Sequence, residues 1–503
     1  MTNFLRFLPP ERSTRWLIAA VLVLHLALGA ALGLSVDEAH YLLYAAHPAL
    51  SYFDHPPLVG WVQWPLVALD APTALLRVVP GALWLGTVLG VYRLAQRLVT
   101  RDAADAVDAG DAVGRAGLWA VAALALAPVL HVLAIGLLPD TLLMFFTVMV
   151  MLQTRRLMQP GALARPLAWL ALGLLLGLAG LSKYTAIFLA LACALCLFSA
   201  HGLRLLRLPA LWGAILLALL LVMPVAVWNA QNAWVSFAYQ AQHGAGGAWR
   251  WQEVLRFVLV QLLAYGPLLW WGAWARTRLG VMRWFFVLPF AVLAYLSGGG
   301  SSLPHWTAPA WVALAPFAGV VLAASWRAGA GARLRRALIG GLVALQALAC
   351  AGLGGLMLSG GAPLLPRSLA DRPVGANPFV DLDGWQAAGA RARSLAAEQG
   401  LASVAVQNWT LASRLGWYAR PLPVQVLDHR VDQFDLWTAP LTAGGKALLV
   451  DWSLMPFALP VGPEGFEECQ LLDSMPVRRW GALLSEFRFY DCRGWQGNNG
   501  VQA

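Results

Sequence analysis

Charge is what this sequence has least of. Only 12% of its 503 residues are Asp, Glu, Lys or Arg, about half the usual share of a soluble domain. That is too little to keep a water-soluble globule of this length solvated. Lysine is nearly missing, since Lys183 and Lys446 are the only two. The positive balance is therefore arginine, and most of it lies in short loops between apolar runs. That pattern belongs to membrane loops and implies no nucleic acid. Period-two alternation is also missing from the apolar runs, which excludes a membrane barrel. No internal repeat is visible, and the polar residues gather at one end of the runs rather than midway. Both features count against a transporter or flippase built from paired halves. Cysteine is scarce. Cys193, Cys196 and Cys350 lie in apolar runs and read as small core residues. Cys469 and Cys492 fall in the polar tail, where a disulfide and two buried thiols are both open.

Long apolar runs are what the sequence has in abundance. Their lengths near ~20 residues suit helices crossing a ~30 Å hydrocarbon core. The reading is a polytopic α-helical membrane protein with about eleven spans: Trp16–Leu34, Leu76–Leu98, Gly117–Leu137, Thr141–Leu157, Leu167–Leu181, Thr185–Phe198, Pro209–Trp228, Val254–Ala275, Trp284–Ser297, Trp306–Ser325 and Ala337–Leu358. The first exceeds the ~7–15 residues of a signal-peptide core, so it is expected to stay as an anchor. Leu167 to Phe198 is too long for one span and is expected to break at "GLSKYT". With the N-terminus cytoplasmic, the inner loops collect arginines such as Arg97, Arg155, Arg204, Arg276 and Arg335. The outer loops before the tail keep only Arg77, Lys183, Arg250 and Arg256. An odd number of spans then places residues 359–503 outside, as a periplasmic α/β domain following a transmembrane domain over 1–358. In that tail, "DGWQAAGARARSLAAEQG" and "WTLASRLGWYA" read as helices, and "SVAVQN", "PVQVLD" and "KALLVDW" as strands.

The scarce charges then fall on one face. "DEAHYLLYAAHPALSYFDHPPLVGW", Asp37 to Trp61, lies in the first outer loop, 35–75. It carries Asp37, Glu38, Asp54, His40, His47 and His55. Asp140, Lys183, Arg250, His243 and His305 stand at other outer span ends. Ionisable groups at membrane depth are expensive and tend to be paired or functional. Such a patch suits chemistry on a charged lipid. Each residue also has a plainer account. Asp140 follows Pro139 at a helix start, where an acid suits the dipole. Lys183 can snorkel, and the Trp-rich stretches can form interfacial belts. His25 and His131 read as satisfied within the bundle.

That loop resembles the first outer loop of C-type (GT-C) glycosyltransferases, those like protein O-mannosyltransferases and the lipid A aminoarabinose transferase. The shared features are an Asp-Glu pair after the first span and an aromatic-acid-basic-Pro stretch, Phe53 to Pro56. "LPDTLLMFF", "GLSKYTAIF" and "LPHWTAPAW" are similar too, in the same order of spans. The resemblance covers roughly Met1 to Leu358. It implies a donor sugar on a polyprenyl (undecaprenyl) phosphate and an acceptor hydroxyl on a lipid, glycan or protein. It also implies single-step transfer with inversion at the outer face of a bacterial inner membrane. By the same resemblance, Asp37 is the base and Glu38 its companion. His55, Lys183, Arg250, Asp140 and His305 bind donor phosphate or substrate. Asp54 with His243 would hold a divalent metal, zinc or magnesium. A non-catalytic scaffold that binds carrier lipid is the rival from another class, and it needs no acid at Asp37.

Overall fold

The computed structural model describes residues 9–99, 109–245, 247–277, 279–300, 302–327, 331–361 and 377–497. The chain divides into two compact units. One comprises Met1–Ala27, Pro48–Leu66 and Ala74–Ala351; the other comprises Leu28–His47, Val67–Thr73 and Gly352–Ala503.

The first unit is helical. Among the described residues, seven helices are long and apolar enough to cross a membrane, or nine if each of two bent pairs is one span. The expected count of eleven is not confirmed among them, for reasons that can be read from the sequence. Pro139–Leu157 has 19 residues, and Asp140, Arg155 and Arg156 together leave no charge-poor stretch of span length. Pro166–Ser182 has 17 residues and counts as a shorter apolar helix. The chain does break at Lys183, which is extended (φ −159°, ψ 143°) between Pro166–Ser182 and Ala186–His201. Helices Pro166–Ser182 and Pro209–Gln231 approach closely because Gly173 has no side chain. A Cβ there would meet the Ala214 carbonyl oxygen at 2.3 Å.

The two bent pairs pose an accounting problem. Val113–Ala125 with Pro128–Ile135 turns by 80°, and Trp251–Tyr265 with Pro267–Trp274 by 107°. Each break frees backbone groups where water is scarce. One side chain serves both breaks. Gln346, 3% exposed, donates from Nε2 to the Leu126 carbonyl at 2.8 Å and accepts at Oε1 from the Leu268 amide at 3.2 Å. Gly266 (φ +74°) leaves room for it, because a Cβ there would lie 2.0 Å from Gln346 Nε2. Gln346→Leu keeps the volume and strands both groups, at roughly 1–3 kcal/mol each. A thermal midpoint several degrees lower is the expected result in detergent, and an unchanged midpoint would show the breaks to be satisfied otherwise.

The second unit holds a five-stranded sheet in the order β2-β1-β3-β5-β4. Strands β1 (Val404–Val406), β2 (Val424–Val426) and β3 (Ala447–Trp452) lie where the sequence places them, and β1 is parallel to both neighbours. The helices Trp385–Gln399 and Trp409–Tyr418 do too. The long hairpin β4 (Phe466–Arg479) and β5 (Ala482–Trp495) has no counterpart in the sequence reading. β4 is largely exposed, so it carries no apolar alternation to read. Its turn has positive φ at Trp480 (48°) and Gly481 (83°), as tight hairpin loops require. Cys469 and Cys492 are direct partners across the hairpin and form a disulfide.

Helix Val36–Ala46 also belongs to this second unit. Ser35 caps it: Ser35 Oγ accepts the Glu38 amide at 3.2 Å and Glu38 Oε2 accepts the Ser35 amide at 3.0 Å. The helix packs along Trp409–Tyr418. His40 Nδ1 is 3.0 Å from Ser413 Oγ, and the Tyr418 hydroxyl oxygen accepts the Leu34 amide at 3.1 Å. Segments far apart in sequence thus build one body around Asp37 and Glu38.

Candidate functional site

In the first unit two helix starts and one helix end converge. Asp140 sits in the first turn of Pro139–Leu157, facing the positive helix end. Lys183 occupies the break after Ser182. Its Nζ donates to Asp140 Oδ1 at 2.7 Å and Oδ2 at 2.6 Å, and the two residues are 6% and 1% exposed. His305 Nε2 stands 3.8 Å from Asp140 Oδ2, too far for a hydrogen bond but near enough to feel its charge. The Trp306 ring lies 5.9 Å from Lys183 Nζ. Thus three of the expected residues, Asp140, Lys183 and His305, meet in one place.

The turn carrying His305 is rigidly held. The Pro304 carbonyl accepts from the Tyr265 hydroxyl at 3.0 Å, Thr307 Oγ1 at 3.1 Å and Gln261 Nε2 at 3.4 Å. Gln261 Oε1 accepts in turn from Thr307 and, at 2.9 Å, from Trp311 Nε1. The sequence reading passed over Gln261 and Tyr265. A lone Gln inside an apolar run was the available signal.

Lys183 also lines a cavity of about 520 Å³ between helices Pro166–Ser182, Ala186–His201 and Pro209–Gln231. Its walls are otherwise nearly all apolar, including Leu176, Ile187, Ala190, Leu219 and Val222. A cation at one end of an apolar groove suits a ligand with an anionic head and a hydrocarbon tail.

Asp54 and His55 lie half-buried in the turn before Leu58–Ala68. The turn is held from below: Gln240 Nε2 donates to the Asp54 carbonyl at 2.7 Å and Ser236 Oγ to the Tyr52 carbonyl at 2.8 Å. Both donors come from helix Val235–Ala245, which also carries His243. The His243 side chain lies outside the described residues. Among the described residues, no group of three or more His, Cys, Asp or Glu converges to hold a metal. The expected pairing of Asp54 with His243 at a metal therefore falls partly outside the described residues, and no step is routed through a metal. Arg250 is mostly exposed and pairs with Glu253 at 3.2 Å, three residues further along the chain.

In the second unit, Asp37 is half-buried in the first turn of its capped helix, and Glu38 is 8% exposed and engaged in the capping box. Arg414 is the charged group that the sequence reading missed. It is 1% exposed and stacked 4.6 Å from the Trp385 ring. It forms an ion pair with Asp381. Burial pulls its guanidinium below the ordinary arginine range, and the charges of Asp381 and Asp37 work against that. A single Arg between Leu411, Leu415 and Trp417 on a buried helix face was the signal for it.

The same unit contains a proton-sensitive carboxyl. Asp432, 4% exposed, caps Gln433–Trp437 by accepting the Phe434 amide at 2.7 Å. Burial, then the neighbouring Asp435 and Asp428, push it up to about 7, against the pull of the Phe434 amide. A carboxyl raised on folding gives stability that is complete below its unfolded value near 4 and is lost as pH climbs through 7. A shift of that size is worth roughly 4 kcal/mol at full amplitude. The thermal midpoint should therefore fall between pH 5 and pH 8. Asp432→Asn keeps the cap and should flatten that slope; an equal slope in the variant would remove Asp432 as its source.

Comparison with known proteins agrees with this architecture. Residues 54–228 match the family model of dolichyl-phosphate-mannose-protein mannosyltransferases. The solved structure of ArnT from Cupriavidus metallidurans bound to undecaprenyl phosphate superposes with a TM-score of 0.59 at 18% identity, over 94% of this chain and 97% of that one. Its apo form superposes with 0.59 at 18%, over 95% and 98%. The S. cerevisiae protein O-mannosyltransferase Pmt1-Pmt2 complex bound to the sugar donor reaches a TM-score of only 0.30 at 18% identity, over 44% and 34% of the two chains. A search of curated proteins finds no match. The chain has an ArnT-like fold, as the resemblance in its sequence implied.

Proposed function

We propose that this protein is an inverting glycosyltransferase that moves a sugar from a polyprenyl phosphate to an acceptor hydroxyl at the outer face of a bacterial plasma membrane. The observation that carries the reading is the apolar groove ending at the buried Lys183–Asp140 pair. Its chemistry fits a prenyl chain in the groove and a phosphate at Lys183. The fold likeness to a structure holding undecaprenyl phosphate supports the same ligand. The arginine-rich loops and the Cys469–Cys492 disulfide favour an extracytoplasmic C-terminal region and a cytoplasmic N-terminus.

Each role follows from charge flow. The acceptor hydroxyl attacks the anomeric carbon from the face opposite the carrier. Its proton passes to the Asp37 carboxylate as the new C–O bond forms. The bond from the anomeric carbon to the phosphate oxygen breaks, and its electron pair stays on the phosphate. Lys183 receives that growing charge, with His55, His305 and Arg250 as further donors. Asp140 fixes Lys183 in place, and Glu38 holds the helix that presents Asp37. Membrane reconstitution with radiolabelled polyprenyl-phosphate sugars tests the reading. Label moving to an endogenous envelope acceptor, with inverted linkage, is expected. Binding of carrier without transfer to any acceptor would favour the scaffold reading instead.

A further inference from the structure

The far end of helix Pro139–Leu157 carries a second polar cavity that the proposed chemistry does not use. It measures about 560 Å³ and is lined by Arg93, Arg97, Gln153, Arg155, Arg156 and Arg165, among others. Arg155 lies about 15 residues along the helix from Asp140, roughly 22 Å at 1.5 Å per residue. The cavity is therefore separate from the Asp140–Lys183 cluster.

Loop arginines on a membrane protein are ordinary. These differ in placement. Arg93 and Arg97 are one turn apart inside Val78–Leu98, and Arg155 and Arg156 lie inside Pro139–Leu157. All four line one cavity, and Arg93 and Arg155 are half-buried in it. Arg97 repels both Arg93 and Arg155. Among the described residues, no carboxylate lines the cavity. Arg155 Nε is buried with no hydrogen-bond partner. Concentrated like charge with an unmet donor calls for an anion, and guanidinium forks match phosphate oxygens.

The neighbouring surface indicates which anion. Helix Pro166–Ser182 starts directly after Arg165, and Leu167, Leu170 and Leu174 are 79%, 40% and 45% exposed along one stripe. The same helix gives Leu175 to the cavity wall, and a charged cavity bordered by a helix with an exposed leucine stripe matches a lipid, with its headgroup in the cavity and its acyl chains on the stripe. We infer that this cavity binds the phosphodiester headgroup of an anionic membrane lipid, at a site distinct from the donor groove.

The test uses the full chain in a neutral detergent, with phosphatidylglycerol, phosphatidylcholine or inorganic phosphate titrated separately. Phosphatidylglycerol should bind at least ~10-fold tighter than phosphatidylcholine. Arg97→Gln with Arg155→Gln should cost about 10-fold in phosphatidylglycerol affinity, since each arginine near an anionic headgroup contributes several-fold. Arg204→Gln with Arg207→Gln removes two exposed arginines elsewhere and should change it by less than ~2-fold. Equal losses in both pairs would mean diffuse attraction and overturn the site. Equal binding of the two lipids overturns it as well. Displacement of phosphatidylglycerol by inorganic phosphate at matched concentration would make this a free-anion site and overturn the lipid assignment.

Discussion

Asp37→Asn should abolish sugar transfer, by about 10³-fold or more, while leaving carrier binding within ~2-fold. A positioned general base contributes roughly 10²–10⁴, and Asn has the same shape with no basic electron pair to offer. Folding should survive the change. Asp37 stands in the first turn of a helix already capped by Ser35 and Glu38, so losing its charge at the helix start costs only about 0.3–1 kcal/mol. It also removes one favourable charge from the neighbourhood of Arg414, which keeps its pairing with Asp381. The informative measurement is single-turnover transfer of radiolabelled sugar beside the thermal midpoint. A dead variant with a near-native midpoint places Asp37 in the chemistry. A variant transferring at the native rate removes it. Glu38→Gln is the contrast: Gln still accepts the Ser35 amide, so transfer should fall far less. A loss equal to that of Asp37→Asn would move Glu38 from supporting the helix to the reaction itself.

Much of this was legible because the bilayer imposes strict rules on sequence. Apolar runs give helices, and a run too long for one span must break. The break at Lys183 followed from length alone, and the structure shows it. Asp140, Lys183 and His305 were each visible as a charge at a span end, but nothing in the sequence said that they meet. Contact across three helices is set by packing, which has no local signature. The same limit hid Arg414 and Gln346. Each is a lone polar residue whose partners lie far away in the chain: Asp381 for one, Leu126 and Leu268 for the other. The hairpin β4–β5 was missed for the opposite reason. Its pairing is local, yet β4 is too exposed to display an apolar face. The membership of Val36–Ala46 in the second unit was also hidden. The chain order suggests a loop of the membrane region, whereas the capped helix packs on Trp409–Tyr418 through His40 and Ser413.

Lys183→Met should damage the protein twice, and the two losses can be separated. Asp140 is 1% exposed and gives both carboxylate oxygens to Lys183. Removing the lysine leaves a buried charge without its partner, which typically costs about 3–5 kcal/mol. The midpoint should fall sharply. If Lys183 also holds the carrier phosphate, undecaprenyl phosphate affinity should drop at least ~10-fold, since a charge-assisted contact in a low-dielectric site contributes more than a neutral one. The single variant cannot tell the effects apart, because a partly unfolded chain binds poorly for any reason. Asp140→Leu with Lys183→Met can. Replacing both partners by apolar groups of similar size removes the desolvation cost together with the attraction, and is often neutral or stabilising. The double variant should therefore recover the native midpoint within about 1 kcal/mol and still fail to bind the carrier. Recovery of both stability and binding would leave the pair as a packing device and take the phosphate away from Lys183. Loss of both would mean that Asp140 does more than hold its partner, with His305, 3.8 Å from its carboxylate, as the next residue to change.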